Sequence, residues 1–271
     1  MAIVKGFLQM TGSIKGVSFY TVAGSDKVIM RTKGGASKNR IKKGAEFAKL
    51  RQHQVEWSGC VQFSQSMRGA IDQTYHMADY NLYSKWNGLG KKVMKMDTEN
   101  KTGSRRLNIS EYKQELDGFN FNLKYPFNTI FRALPSIELN RDTLSATVSV
   151  PRINTANDIQ NIQRLPYFRL IVCLGMVSDM MYNPEGFTSK YKPVMEKLNR
   201  YCMSTISEWY STNDVIPPHV LSVLYDDSIP PLLTDDITVI LSMGIEFGNV
   251  GLGGAIMPVN HAGCGKILLC R

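Results

Sequence analysis

No run of apolar residues approaches the ~20 that a membrane-spanning helix requires, so no membrane span is expected. Cysteine is sparse: the five, at Cys60, Cys173, Cys202, Cys264 and Cys270, are odd in number and scattered. That argues against a disulfide framework and for reduced thiols in a cytoplasm. The opening stretch, MAIVKGFLQMTGSIKG, has only a short apolar run and no cleavage-site pattern after it, so no secretory signal is expected. Histidine is limited to His53, His76, His219 and His261, and the first three stand in no recognisable arrangement with a serine or cysteine nucleophile and an acid. Acidic residues are nearly missing from the first 51 positions, where only Asp26 and Glu46 occur.

What is present is an ordinary globular composition with a polarised charge. At 271 residues, 43% hydrophobic and 20% charged, the chain is long enough for one large domain or two modest ones, and wholesale disorder is not expected. The net charge of +9 is carried entirely by residues 1–51, where eleven Lys and Arg face two acids. Residues 201–250 are the counterpart, with seven acids and no Lys or Arg.

Residues 16–22 alternate Val17, Phe19 and Thr21 against Ser18 and Tyr20, a turn signal follows at residues 23–26, and residues 27–32 return as a second strand. The pair reads as a hairpin, marginal alone and in need of a surface to pack on. Residues 38–43 form a basic connector, expected to be exposed and mobile. Residues 45–79 hold Phe47, Leu50, Trp57, Val61, Ile71 and Tyr75 at helical spacing, as one helix or as two joined near Gly59 or Gly69. Leu82, Trp86, Leu89, Val93 and Met96 form a second, cleaner stripe. Such stripes imply an antiparallel helix pair or an interface between subunits.

The polar residues 97–108 predict a boundary between a hairpin, basic-arm and helical module (1–108) and a β-domain (109–271). Beyond it, strand patterns recur at residues 119–123, 136–140, 143–150, 167–178, 200–210, 237–247 and 266–270, and residues 190–199 suggest a turn or two of helix. Few helical patterns intervene, so the fold class expected is α+β: an N-terminal β-hairpin with a basic arm and a helical hairpin, then a C-terminal immunoglobulin-like β-sandwich.

Motifs for chemistry are weak. His261, Cys264 and Cys270 lie within ten residues, but their spacing matches no common zinc site and a fourth ligand is not evident. Residues 248–254 are glycine-rich after a strand yet lack the Lys-Ser/Thr pair of a phosphate loop, so a hairpin connection is expected. Arg105 and Arg106 suit either a clamp for a phosphate or acidic partner, or an exposed linker. No catalytic residue, cofactor or metal is assigned, and no enzyme is expected.

Two interaction surfaces remain. One is the basic arm, Arg31, Lys33, Lys38, Arg40, Lys42, Lys43, Lys49 and Arg51. The other is an acidic face, Asp214, Asp226, Asp227, Asp235 and Asp236. The arm suits nucleic-acid phosphates, with Phe19 and Tyr20 available for stacking. It also suits the acidic face of a second copy, a head-to-tail contact that propagates into rings or filaments, and an intramolecular match of the two patches is the third alternative.

The residues Gly12-Ser13-Ile14-Lys15-Gly16-Val17-Ser18-Phe19-Tyr20, Arg31-Thr32-Lys33-Gly34-Gly35, Thr102-Gly103-Ser104-Arg105-Arg106 and Leu116-Asp117-Gly118-Phe119-Asn120-Phe121-Asn122 resemble an uncharacterised protein family of Bacteroidetes. Met243-Gly244-Ile245-Glu246-Phe247 and Asn260-His261-Ala262 resemble its closing segment. The resemblance is dense in residues 12–122 and thin from 125 to 235. It departs at Arg51-Gln52-His53-Gln54, where the family carries Arg-Glu-Asn. It implies a bacterial, cytoplasmic origin, with a phage or mobile element among the sources, and brings no activity, cofactor or catalytic residue. The leading expectation is a self-associating structural or assembly protein, a homo-oligomer; the alternative is a nucleic-acid-binding accessory protein.

Overall fold

The computed structural model describes residues 2–4, 11–22, 27–32, 34–187, 189–251 and 253–271. The chain divides into two compact units, Met1–Arg51 and Gln52–Arg271. All of the excess positive charge therefore lies in the first unit.

That unit holds four strands, β1 (Ala2–Val4), β2 (Gly12–Ile14), β3 (Val17–Thr21) and β4 (Val28–Thr32), in the antiparallel order β1-β4-β3-β2. The expected hairpin is β3 with β4; β1 and β2, too short to show a pattern in sequence, extend it into a sheet. Its 23–26 turn lies outside the described residues. Lys15 and Gly16 join β2 to β3 with φ values of 39° and 85°, the doubly left-handed turn whose twist suits a two-residue hairpin.

The basic connector is not irregular: residues Lys38–Lys43 form a helix, α1. Ser37 caps it, its Oγ accepting from the Arg40 N–H at 3.2 Å. Arg51 closes the other end, its Nη1 donating to the carbonyls of Ile41 at 2.8 Å and Gly44 at 2.7 Å. These caps supply the order that the connector's lack of apolar residues had argued against.

The main helices are α2 (Ala48–Ala70), α3 (Asp72–Tyr75) and α4 (Leu82–Met94). The chain thus runs straight through Gly59 and breaks after Ala70. On α4 the expected stripe is buried at Leu82, Trp86 and Val93. On α2 the expected face is displaced: Leu50 and Trp57 are exposed, and the buried line is Glu56, Cys60, Phe63, Met67 and Ala70. A charged residue at the head of that line, with glycine and serine around it, hid it from a hydrophobicity pattern. Gly90 lets α4 approach α2 closely, since a β-carbon there would lie 3.0 Å from Phe63 and 3.1 Å from Leu107.

The longer strands that follow are β5 (Ser136–Asn140), β6 (Ser145–Val150), β7 (Tyr167–Ser178), β8 (Cys202–Ile206), β9 (His219–Leu224), β10 (Ile237–Val250) and β11 (Ile256–Cys270). A five-stranded antiparallel sheet runs β8-β7-β10-β11, with Tyr210–Ser211 also paired to β7, and a three-stranded sheet runs β9-β6-β5. The expected helix at 190–199 is absent among the described residues; Tyr191–Pro193 pairs with Met180–Tyr182 instead. The pattern at 119–123 is not a full strand: residues 118–121 make only an edge contact with β11 through an Asn120–Lys266 bridge.

Alternation on β7 and β10 assigns the layers. Leu170, Val172, Leu174 and Met176, with Val239, Leu241, Met243 and Ile245, face Ala146, Val148, Leu221 and Val223 of the three-stranded sheet in one apolar core. From the opposite face Val177, Ile240, Ile267 and Cys270 meet Cys60, Phe63, Met67 and Trp86 of the helices in a second. The helical pair therefore shares a core with the β-layers, and the compact division falls at Arg51/Gln52 instead of at residues 97–108. Those residues are polar because they are tied down by hydrogen bonds: Glu56, fully buried, accepts from Gly103 N at 2.8 Å and from Arg105 Nε and Nη2 at 2.7 Å, and pairs with Lys91.

Gly175 of β7 is where α2 sits directly on the sheet, since a β-carbon there would lie 1.9 Å from the Ala70 carbonyl oxygen. Gly175→Ala is expected to destabilise Gln52–Arg271 by about 1–3 kcal/mol, the cost of forcing packed layers apart. Urea denaturation followed by tryptophan fluorescence checks it, and an unchanged midpoint contradicts this contact.

Candidate functional site

The basic arm separates into structural and solvent-facing cations. Arg51 is half-buried and serves as the cap of α1. Arg40 donates through Nε to Glu46 Oε1 at 3.0 Å. Arg31 is exposed, with its guanidinium 5.8 Å from the Tyr20 ring centre. Lys38, Lys42, Lys43 and Lys49 are exposed, the first three on α1. Lys33 lies outside the described residues.

The acidic residues lie on the loops between strands. Asp214, Asp226, Asp227 and Asp235 are exposed and Asp236 is half-buried. The Ser228 side chain and, at 3.0 Å, the Ser228 N–H both donate to Asp226, which holds its carboxyl below the usual range. Asp214 contributes its backbone carbonyl, which accepts from Thr155 Oγ1 at 2.7 Å. Only Asp235 and Asp236 line a shared cleft of about 490 Å³, together with Arg106, Arg141, Arg271 and Asp179.

Residues 106–113 form one wall of this cleft and the start of β10 another. Arg106 Nη2 lies 3.6 Å from Asp236, while its Nε is buried without a protein partner. Arg141 is fixed by donating Nη2 to the carbonyls of Thr234 at 2.7 Å and Ile237 at 3.1 Å. Asp179 is buried and accepts from Ser110 N at 2.9 Å and Ser110 Oγ at 2.6 Å. Burial pushes its carboxyl up, the Ser110 bonds pull it back and Asp236 raises it again, to about 6.

Other suspected residues are dispersed. Cys264 and Cys270 are buried in β11, where burial pushes the Cys264 thiol up to about 12, while His261 is exposed with φ 59°. Among the described residues no three His, Cys, Asp or Glu side chains are placed to hold a metal ion. Within the glycine-rich stretch, residues 248–250 belong to β10 and pair with residues 256–258 of β11, and Gly251 N donates to the Ala255 carbonyl at 2.8 Å. Arg105 is spent on Glu56, so only Arg106 of that pair reaches a cleft. Asp179 and Thr238 escaped notice because each borders an apolar strand run.

A further buried acid is compensated. Glu246 accepts from Arg169 Nε at 2.5 Å and pairs with His76; burial opposes its ionisation, and these two bonds overcome that and lower it. The chain matches no protein-family model, no curated protein and no solved structure. Among the described residues no helix is long and apolar enough to cross a membrane.

Glu56 and Asp179 give opposite pH dependences. Burial opposes ionisation of Glu56, but Arg105, Gly103 N and Lys91 outweigh it and hold the carboxyl at about 2. Its stabilisation is complete above the unfolded value near 4.5 and is lost as pH falls toward 2. Asp179 is raised from 3.8 to about 6, so its contribution is greatest below 3.8 and is lost as pH rises through 6. Glu56→Gln should unfold more easily than the parent at pH 7, with the gap narrowing toward pH 3. Asp179→Asn should lose the decline between pH 4 and 6. Urea midpoints across pH 3–8 decide it, and parallel curves for all three proteins contradict both assignments.

Proposed function

We propose that this chain is a self-associating structural protein whose copies meet through Met1–Arg51, building a ring, filament or shell. One observation carries the reading: Val28 is the single buried side chain among residues 11–22, 27–32 and 34–51, while Ile14 is 60% and Val22 49% exposed. A sheet needs an apolar face sealed by something, and about 50 residues rarely supply a core of their own. The unit's nine excess positive charges oppose contact between like surfaces, whereas exposed Asp214, Asp226, Asp227 and Asp235 offer a complementary one. Joining unlike patches gives a heterologous contact, which closes into rings or runs on as filaments. As part of this reading, the two sheets that share a core are taken as an immunoglobulin-like sandwich carrying the assembly module. The likeness to a Bacteroidetes family, and with it a cytoplasmic, phage or mobile-element setting, belongs to the same proposal, which assigns no reaction.

A second reading is favoured by α1 itself, which presents Lys38, Lys42 and Lys43 to solvent on one short helix, with Arg31 stacked near Tyr20 on β4. This is an accessory protein that binds nucleic-acid phosphates.

Light scattering on the full chain at micromolar concentration separates the two. Self-association predicts large species in 50 mM salt that dissolve in 500 mM salt and are missing in Lys38→Glu/Lys42→Glu/Lys43→Glu. A sharp monomer peak in 50 mM salt would falsify it. If that monomer also binds RNA or duplex DNA, with a log–log salt slope that drops by roughly 0.9 per phosphate contact when the lysines become alanine, the second reading takes its place.

A further inference from the structure

The cleft between residues 106–113 and the start of β10 holds a concentration of unmet hydrogen-bonding groups that the assembly reading does not use. Thr238 lines it, is fully buried, and has no partner for Oγ1. Arg106 Nε and Asn108 Oδ1, from two more lining residues, are buried and equally unpartnered. Thr234 Oγ1, beside the carbonyl that anchors Arg141, is a fourth such atom. Buried polar groups are rarely left without partners, and three of the residues lining this cleft carry one.

Their chemistry is two-sided. Arg106 Nε–H can only donate, Asn108 Oδ1 can only accept, and each hydroxyl can do either. The charges are two-sided as well: Arg106, Arg141 and Arg271 on the basic side, Asp179, Asp235 and Asp236 on the acidic side, with Glu111 and Lys113 adding one of each. Some of these are already engaged. Asp179 is taken by Ser110, and Arg141 gives Nη2 to two carbonyls. Arg106 and Asp236, a loose pair at 3.6 Å, and the exposed Asp235 carry opposite charges on the two walls. At about 490 Å³ the cleft exceeds the ~30 Å³ share of a single water and falls within the ~300–1,000 Å³ of small-molecule sites.

We propose that this cleft binds a small zwitterion of the α-amino acid or short-peptide class. Its carboxylate lies against Arg106 and its ammonium against Asp235 and Asp236. A simple anion meets three aspartates there, and a simple cation meets three arginines. Only a ligand carrying both signs pairs with each wall and also supplies an acceptor for Arg106 and a donor for Asn108. The proposal does not depend on self-association: Asp235 also belongs to the acidic surface of that reading, but Arg106, Asn108 and Thr238, which carry the unmet groups, do not.

Isothermal titration calorimetry on the full chain tests it, with the standard α-amino acids and glycylglycine as zwitterions, succinate as the anion and putrescine as the cation. At least one zwitterion should give saturable 1:1 binding, with succinate and putrescine at least tenfold weaker. Arg106→Gln and Asp235→Asn should each weaken the zwitterion at least tenfold. Asp235 is exposed, so its variant reports on the site even if replacing Arg106 disturbs folding. Thr238→Val, which removes the hydroxyl at nearly constant volume, should weaken it as well. No saturable heat from any zwitterion up to about 10 mM, well beyond the millimolar range of weak sites, overturns the proposal. So does equal binding of succinate or putrescine, or undiminished binding by Asp235→Asn.

Discussion

The structure of Gln52–Arg271 depends on one constraint: β7 and β10 are apolar on both faces and must be covered on both. Twelve consecutive residue pairs, from Ile237 with Ser178 to Gly248 with Tyr167, join them without a register shift. A one-residue slip would exchange Val239, Leu241 and Met243 for Thr238, Ile240 and Ser242 across the faces, so the pattern enforces the register. The three-stranded sheet covers one face and α2 with α4 the other, which makes the helices a layer of the same fold. Gly175 and Gly244 follow from that requirement, since they stand where α2 and the residues after it, Thr74 and Met77, lie against the sheet.

Covering a sheet with helices also brings charge inside. Glu56 and Glu246 are buried, Glu56 met by Lys91 and Arg105 and Glu246 by Arg169 and the His76 ring. Removing one member of such a cluster leaves a stranded charge, so the clusters specify geometry more than they add stability. Met1–Arg51 stands in contrast. It has regular strands and a capped helix but a single buried side chain among residues 11–22, 27–32 and 34–51, and it carries the whole net charge. One unit is completed by its own layers; the other, in the reading proposed above, is completed by a second copy.

Much of this was legible in the residues. The nearly unbroken apolar run of β7 announced a strand covered on both sides, and the alternation of β10 named its core-facing residues. The stripe on α4 was readable because four of its members are large and apolar. The face of α2 was not, because it begins at an ionised glutamate whose partners, Lys91, Arg105 and the Gly103 amide, are 35 to 49 positions away. The same long-range bonds run through residues 97–108, which look like a linker while Gly103 N, the Arg105 guanidinium and the Arg106 amide are held by Glu56 and Asp97. The charge pattern, which breaks at residue 51, marked the division that composition did not. The cleft was invisible, since Arg106, Asp179 and Thr238 meet only through strand pairing and loop closure.

The central claim is that Gln52–Arg271 is sealed by its own layers while Met1–Arg51 is completed from outside. Amide hydrogen exchange, measured on the full chain over a dilution series, tests it most directly. The account predicts that amides of β7 and β10 exchange slowest at every concentration, whereas those of β2, β3 and β4 exchange fast in dilute protein and slow as concentration rises. Protection of β2–β4 equal to that of β7 in the dilute monomer would contradict it.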